Sequence, residues 1–544
     1  MTHTETNRLN QFEYKGKLMT KLMHSQLLLA LILTFATACG PDENNNNNTS
    51  NGTTDTDMSG EVTDEDMGGE VTDEDMGEEV TERDTTPITT PDTYTFDSVY
   101  VSDKSSVAHS GQTSRHTTIT ALNDYISGTL ENDALTNTLF TSKQDFVDAL
   151  KFYYEFKGED DPDREHTLTV SPATEGATWT LEPTTHAGIS ADGRLASKFA
   201  GNDNVTDYKN WFMDFQGWEG QISAEGLLFD LMDQLADQAF ALSEGTAPVN
   251  PMDDSALPVY VTPEGLDLKQ LIQKFLLMGI TYAQAADDYL DDDPANEADK
   301  KGLFASNTLS EGKSYTGLEH VWDEGFGYFG AAADYDQYTD EQLSDKLQRD
   351  SDGDGVINVL REYNFGASIN AAKRDKGSAD SAKTDFTQAT FDAFVEGRTL
   401  IVNAGEEVST EELDAIRVQR DIVLENWEKA IAATVVHYIN DTLQEMEKHT
   451  AATGDYSHTE HAKVWSELKG FSLGFQFNRN SPMMEGTLFV DFHELVGNAP
   501  VLPSASEEDF AQYKADLVSA RDILQSAYDF ADANMGDEKG QNGW

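Results

Sequence analysis

The sequence predicts a mainly α protein, a pair of helical bundles with loop insertions behind a long polar leader. Three features carry this reading. Apolar residues recur at helical spacing over Leu266–Leu290 and again from Thr410 to Met446. Runs that alternate apolar and polar residues are few and short. Aromatic residues, 10% of the chain, concentrate after residue 90, so material for a core begins there. The 544 residues are enough for two ordinary domains, or for one large domain with a tail.

Taken in order, residues 1–38 read as a signal peptide. Lys15, Lys17 and Lys21 form a basic flank, Leu27 to Phe35 an apolar run, and Ala36-Thr-Ala-Cys39-Gly40 a small-residue cleavage site. The apolar run is too short to span a membrane. Cys39, the one cysteine of the chain, excludes an internal disulfide. Its place at the cleavage point resembles a bacterial lipoprotein signal, in which the cysteine is lipidated. Gly40 in place of an aspartate points to the outer membrane by the same analogy. Residues 39–92 then read as an acidic tether. They hold Asn44 to Asn48 and a nine-residue repeat opening at Met58, Met67 and Met76, with too little apolar surface to offset the entropy of ordering. The net charge of −62 excludes nucleic acid as a partner and favours cations.

The body is expected to start near Tyr94. Helices are predicted from about Thr113 to residue 127, over 143–156 behind a Ser142 cap, from Ser223 to Leu242, and over Leu266–Leu290. Residues 158–215 are rich in Gly, Asp, Asn and Thr and read as an insertion of loops with a small hairpin. Later helices are expected from Tyr315 to Phe329, weakened at the end by Gly325 and Gly327, and from Glu341 to Gln348. Others follow from Phe386 to Ala404, Thr410 to Met446, His458 to Phe475 and Asp509 to Ala531. A break within 350–385 divides the body into an N-terminal bundle, 93–350, and a C-terminal bundle, 351–544.

At that break stands Asp350-Ser-Asp352-Gly-Asp354-Gly355-Val356-Ile-Asn358. Alternating carboxylates followed by glycine form the opening of an EF-hand-like calcium loop. Asp350, Asp352 and Asp354 would supply carboxylates, Val356 a backbone carbonyl, and Asn358 the ninth position. The twelfth position holds Arg361 where Glu is expected, so Glu362, one residue later, is the candidate for the closing ligand. Calcium suits dense oxygen ligands better than magnesium does.

Two stretches place histidine beside acids on a helix. In the first, His320 lies three residues before Asp323 and four before Glu324, so either pair shares a face. In the second, His458, Glu460 and His461 cluster within one turn. The two share a pattern, Glu319-His-Val-Trp-Asp-Glu-Gly-Phe against Glu460-His-Ala-Lys-Val-Trp-Ser-Glu-Leu-Lys-Gly-Phe, which reads as an internal duplication. Each is either a transition-metal site or a histidine network satisfied within the core. No nucleophile elbow, phosphate loop, dinucleotide fingerprint or His-Glu-x-x-His motif is present, which argues against an enzyme.

Tyr94-Thr-Phe, Ser110-Gly-Gln-Thr-Ser-Arg115, Glu319 through Gly330, Asp352-Gly-Asp-Gly and Glu460-His461…Trp465 together resemble an uncharacterised family of bacterial lipoproteins, a domain of unknown function, over most of 93–540. That family is similar in turn to the imelysins, helical envelope proteins associated with iron uptake. Their motif is Gly-x-His-x-x-Glu. In this chain the histidine of Gly317-Leu-Glu-His320 comes one residue later, and Asp323 holds the acid position. The resemblance implies an imelysin-like bundle pair, iron or another transition metal, and envelope uptake proteins as partners. The expected function is a metal-binding envelope lipoprotein assisting iron or metal acquisition. The alternative is a calcium-stabilised, non-enzymatic lipoprotein that binds a peptide, glycan or protein.

Overall fold

The computed structural model describes residues 82–203, 207–450 and 455–544. The signal, Cys39 and residues 39–81 of the tether lie outside the described residues. All described residues belong to one compact unit. Among them no helix is long and apolar enough to cross a membrane.

The mainly helical expectation holds, and local chemistry explains most helix ends. Ser142 and Asp145 form a reciprocal capping box at the start of Lys143–Glu155. Ser223 caps Ala224–Ser243 by accepting from Gly226 N–H. Thr316 and Glu319 form a second box at the start of Gly317–Phe329. That helix runs through Gly325 and Gly327, contrary to the expected weakening. Leu290 and His109 pack directly against these two glycines, and tertiary contact outweighs their low helix propensity. It ends at Gly330, whose φ of 77° is the left-handed cap that a residue without Cβ adopts most readily.

The long periodic run forms Thr410–Thr450, of 41 residues. Val418, an apolar residue within that run, faces solvent. Among the helices not anticipated are Leu130–Thr136, Gly366–Asp375 and Leu488–Val496. The second lies inside the expected break. The expected hairpin in 158–215 is also replaced. Strand β1, Thr180–Glu182, pairs in parallel with β2, Val356–Asn358, in the register Leu181 to Ile357. A parallel pair needs a distant partner, so no local turn signal announces it.

The chain engages the body before Tyr94. Arg83 donates to the carbonyls of Val402 and Ala404 at 2.9 and 2.6 Å, at the end of the Phe386–Asn403 helix. One apolar core then gathers residues from Tyr94 to Trp544, on both sides of residue 350. Phe329 packs edge-on against Trp427 at 5.2 Å and beside Phe394 at 5.9 Å, which joins three helices. Glu428 is buried among them. It accepts from the hydroxyls of Tyr282 and Tyr528 at 2.5 and 2.7 Å and from Asn478 at 2.6 Å, so its desolvation is offset by donors from three other segments.

His116 is buried where Gly330 meets Phe365. Its Nε2–H donates to Tyr328 O at 3.1 Å, and its ring stacks on Phe365 at 5.0 Å. Burial, reinforced by the nearby His109, pushes it from 6.5 down to about 4. Between those values the unfolded chain binds more protons than the native one, so this group's contribution to stability is intact above pH 6.5 and is lost as pH falls toward 4. Replacing His116 with Gln should therefore flatten the stability profile in that window by about 3 kcal/mol. Urea denaturation of both proteins across the window checks this; parallel profiles would contradict it.

Candidate metal centre

The acidic loop closes on its own backbone. Asp350 Oδ1 accepts from the N–H groups of Gly353 and Asp354 at 2.7 and 3.1 Å, and Oδ2 from Gly355 N–H at 2.9 Å. These bonds demand left-handed backbone at Gly353 and Gly355, with φ of 80° and 88°, and no neighbour stands where either Cβ would go. Glycine is therefore needed for conformation and not for space. Ile357 is fully buried and β2 is paired to β1, so one side of the loop is anchored.

Glu362 reaches back into the loop from the position after Arg361. It is 3% exposed, and Oε1 accepts from Ser351 N–H and Oγ at 2.8 and 2.6 Å while Oε2 accepts from Asn358 N–H at 2.8 Å. One oxygen each from Asp350, Asp352 and Glu362 lies within 4.8 Å of the other two. The fold thus gathers three of the six expected ligands. Asp354 and Asn358 turn their oxygens to the N–H groups of Val356 and Leu360, at 2.7 and 2.9 Å. The flanking helices are Asp340–Ser344, which ends before the loop, and Gly366–Asp375, which starts after Glu362 and an extended link.

The loop is tied to the Gly317–Phe329 helix. Ala333 N–H donates to Arg361 O at 2.7 Å, Ala332 N–H to Asn364 Oδ1 at 2.8 Å, and Phe365 N–H to Gly330 O at 2.7 Å. On that helix His320 Nδ1 lies 3.1 Å from Ala108 O, its ring stacks on Tyr315, and its Nε2 is 3.8 Å from Glu324. Glu324 also accepts from Gln112 at 2.8 Å. Asp323 is fully buried and its two oxygens are taken by Tyr94 Oη at 2.7 Å, Ala108 N–H at 3.1 Å and Arg398 Nε at 2.9 Å.

In the second stretch His458 Nε2 donates to Thr262 O at 3.1 Å, and His461 Nδ1 meets Tyr456 Oη at 3.1 Å. His458 Nδ1 and His461 Nε2 are buried with no partner. Burial pushes His461 down to about 3, so it is neutral across the physiological range. Glu460 turns to the surface and pairs with Lys463 at 2.8 Å. The shared pattern of the two stretches has a packing role in both: Trp322 and Trp465 are fully buried, their indoles bonded to Phe394 O and Tyr513 Oη at 2.9 and 2.7 Å.

Arg398 was missed in the sequence, as was the bond from Tyr94 to Asp323. Arg398 is fully buried, with its Nη1 on Glu319 at 2.8 Å, its Nη2 on Ser106 Oγ at 2.8 Å and its Nε on Asp323. A single arginine among the aromatic and aliphatic residues of Phe391–Ile401, a stretch that also holds Asp392 and Glu396, was the available signal. Also missed were Asp203, Asp207 and Asp288, whose oxygens likewise converge within 4.8 Å.

Residues 230–487 match the family model described as a domain of unknown function, DUF4856. This stretch, which includes both histidine motifs and the acidic loop, is thus similar to an uncharacterised family. No curated protein and no solved structure matches the chain.

Removing Arg398 leaves two buried carboxylates without a cation. Arg398→Met should cost roughly 3–5 kcal/mol of stability in denaturant titrations. Arg398→Lys should recover only part of this, because one ammonium cannot reproduce the fork that meets both acids.

Proposed function

We propose that this is a calcium-stabilised, non-enzymatic binding lipoprotein of the bacterial cell envelope. In this reading Cys39 carries the lipid, the acidic tether spaces the body from the outer membrane, and calcium in the EF-hand-like loop braces the helical body. The observation that carries it is the approach of Asp350, Asp352 and Glu362 to within 4.8 Å, with Glu362 taking the closing position left by Arg361. Three carboxylates at the end of a glycine-bent loop suit a hard cation, and calcium concentrations outside the cytoplasm do not require tight binding. The bonds from the loop to Gly330 and Ala333 give the ion a route to stabilise the Gly317–Phe329 helix.

Calcium should raise the melting temperature over a chelated sample, since a ligand that binds only the native state stabilises it by about 3 kcal/mol at a hundredfold excess over Kd. The Asp352→Asn/Asp354→Asn variant should show a smaller calcium shift than the parent. An identical shift in the two proteins defeats the calcium reading. For the anchor, Cys39→Ser should release the protein from the membrane fraction, and unchanged fractionation would exclude lipidation there.

A second reading is envelope iron or other transition-metal acquisition by an imelysin-like pair of bundles. It is supported by the unpartnered ring nitrogens of His458 and His461, three residues apart on one helix. Metal analysis separates the readings: iron, copper or zinc retained by the parent and lost from His458→Ala/His461→Ala favours acquisition. The calcium reading is preferred because its carboxylates already converge.

A further inference from the structure

The helix Leu268–Leu276 leaves α geometry and continues as two π-helical stretches, Leu277–Tyr282 and Gln284–Tyr289. Such wide turns occur mostly as single bulges and concentrate at functional sites. The chain opposite is fitted to them. The Phe199 ring fills the place of a Gly279 Cβ, 2.9 Å away, and Ala200 N–H donates to Gly279 O at 2.9 Å. On the next turn Asp287 accepts from Trp211 Nε1 at 3.1 Å and from Tyr208 N–H at 3.3 Å.

One oxygen each from Asp203, Asp207 and Asp288 lies within 4.8 Å of the other two. Asp288 is only 3% exposed, and its Oδ1 has no hydrogen-bond partner. Gln284, whose amide donates to Asp203 and Asp288 at 2.6 Å each, has its own Oε1 buried without a partner. A buried carboxylate oxygen left in this state is costly unless the group takes up a proton or a cation meets it.

The adjoining acids are compensated differently. Arg479 pairs with Asp291, Asp292 and Asp293, and Arg417 and Arg420 pair with Asp292. Among the described residues no arginine or lysine forms an ion pair with Asp207 or Asp288, and Lys198 exerts an electrostatic pull on Asp288. We propose that Asp203, Asp207 and Asp288 form a second cation site, separate from the Asp350–Glu362 loop, for a hard divalent ion such as calcium. The ion fastens the chain at Asp203 and Asp207 to the π-helical turn. Asp207 also lines an open cleft of about 750 Å³ beside the exposed side chains of Phe212, Met213 and Ile222, so the same ion holds one wall of that cleft.

Trp211, bonded to the neighbour of Asp288, serves as a reporter. Terbium added to the full-length protein should emit on indole excitation, and calcium should quench this by displacement. Asp207→Asn and Asp288→Asn should each lose that emission and weaken calcium at this site by about tenfold or more. Asp207 is partly exposed, so its variant should keep the parent's circular dichroism even if Asp288→Asn does not fold. The Asp352→Asn/Asp354→Asn variant should retain the emission. Unchanged emission and calcium stoichiometry in Asp207→Asn would overturn the proposal. So would loss of all cation binding in the loop variant, an outcome that leaves the calcium loop itself intact. Loss of one equivalent in Asp207→Asn, with none lost in the loop variant, supports this site and defeats the loop.

Discussion

The Arg398 guanidinium is the constraint on which the centre of this fold depends. It is fully buried and bridges Asp323 and Glu319, which lie one helical turn apart on Gly317–Phe329. A charge removed from water this completely is tolerable only when geometry and hydrogen bonding are complete. The network meets that condition by recruiting the N-terminal segment: Ser106 takes the third guanidinium nitrogen, while Tyr94 and the Ala108 N–H fill the remaining valences of Asp323. The order of the chain from Tyr94 to Ala108 therefore follows from the charge state of one helix. Phe96 lies 5.0 Å from the guanidinium and shields it from solvent.

The same helix links the buried network to the acidic loop. Its far end is the left-handed Gly330, whose carbonyl accepts from Phe365 N–H and Ser368 Oγ. Through Arg361, Asn364 and Phe365 the loop is bonded to the residues that follow the helix. Geometry at the loop and at the network is thus set by a single rigid element. Burial makes the histidines near both regions, His109 and His116, poor bases, each lowered to about 4. They behave as neutral packing groups at neutral pH.

Much of the fold was legible because its signals are local. The capping pairs Ser142 with Asp145 and Thr316 with Glu319 mark helix starts within four residues of sequence. The Asp-x-Asp-x-Asp-Gly spacing announces a sharp carboxylate-closed turn, and Glu362 stands close enough in sequence to be identified as its closing residue. What was not legible depends on distant partners. The β1–β2 pair joins residues more than a hundred and seventy apart, and the Asp203–Asp207–Asp288 grouping needs a wide helical turn that no short motif encodes.

The histidine stretches show where that division falls. Sequence by itself determined that His320 shares a face with Asp323 and Glu324, and that His458 shares one with His461, because helical periodicity fixes neighbours three and four residues apart. Only the tertiary structure decided what those faces meet. Asp323 turns to Arg398, seventy-five residues away, whereas Glu460 turns to solvent and pairs with Lys463. The likeness of the two stretches is real at the level of buried tryptophans and ends at the acids. A side chain's direction is set by the chain nearby, but its chemistry is set by whichever segment packing brings against it.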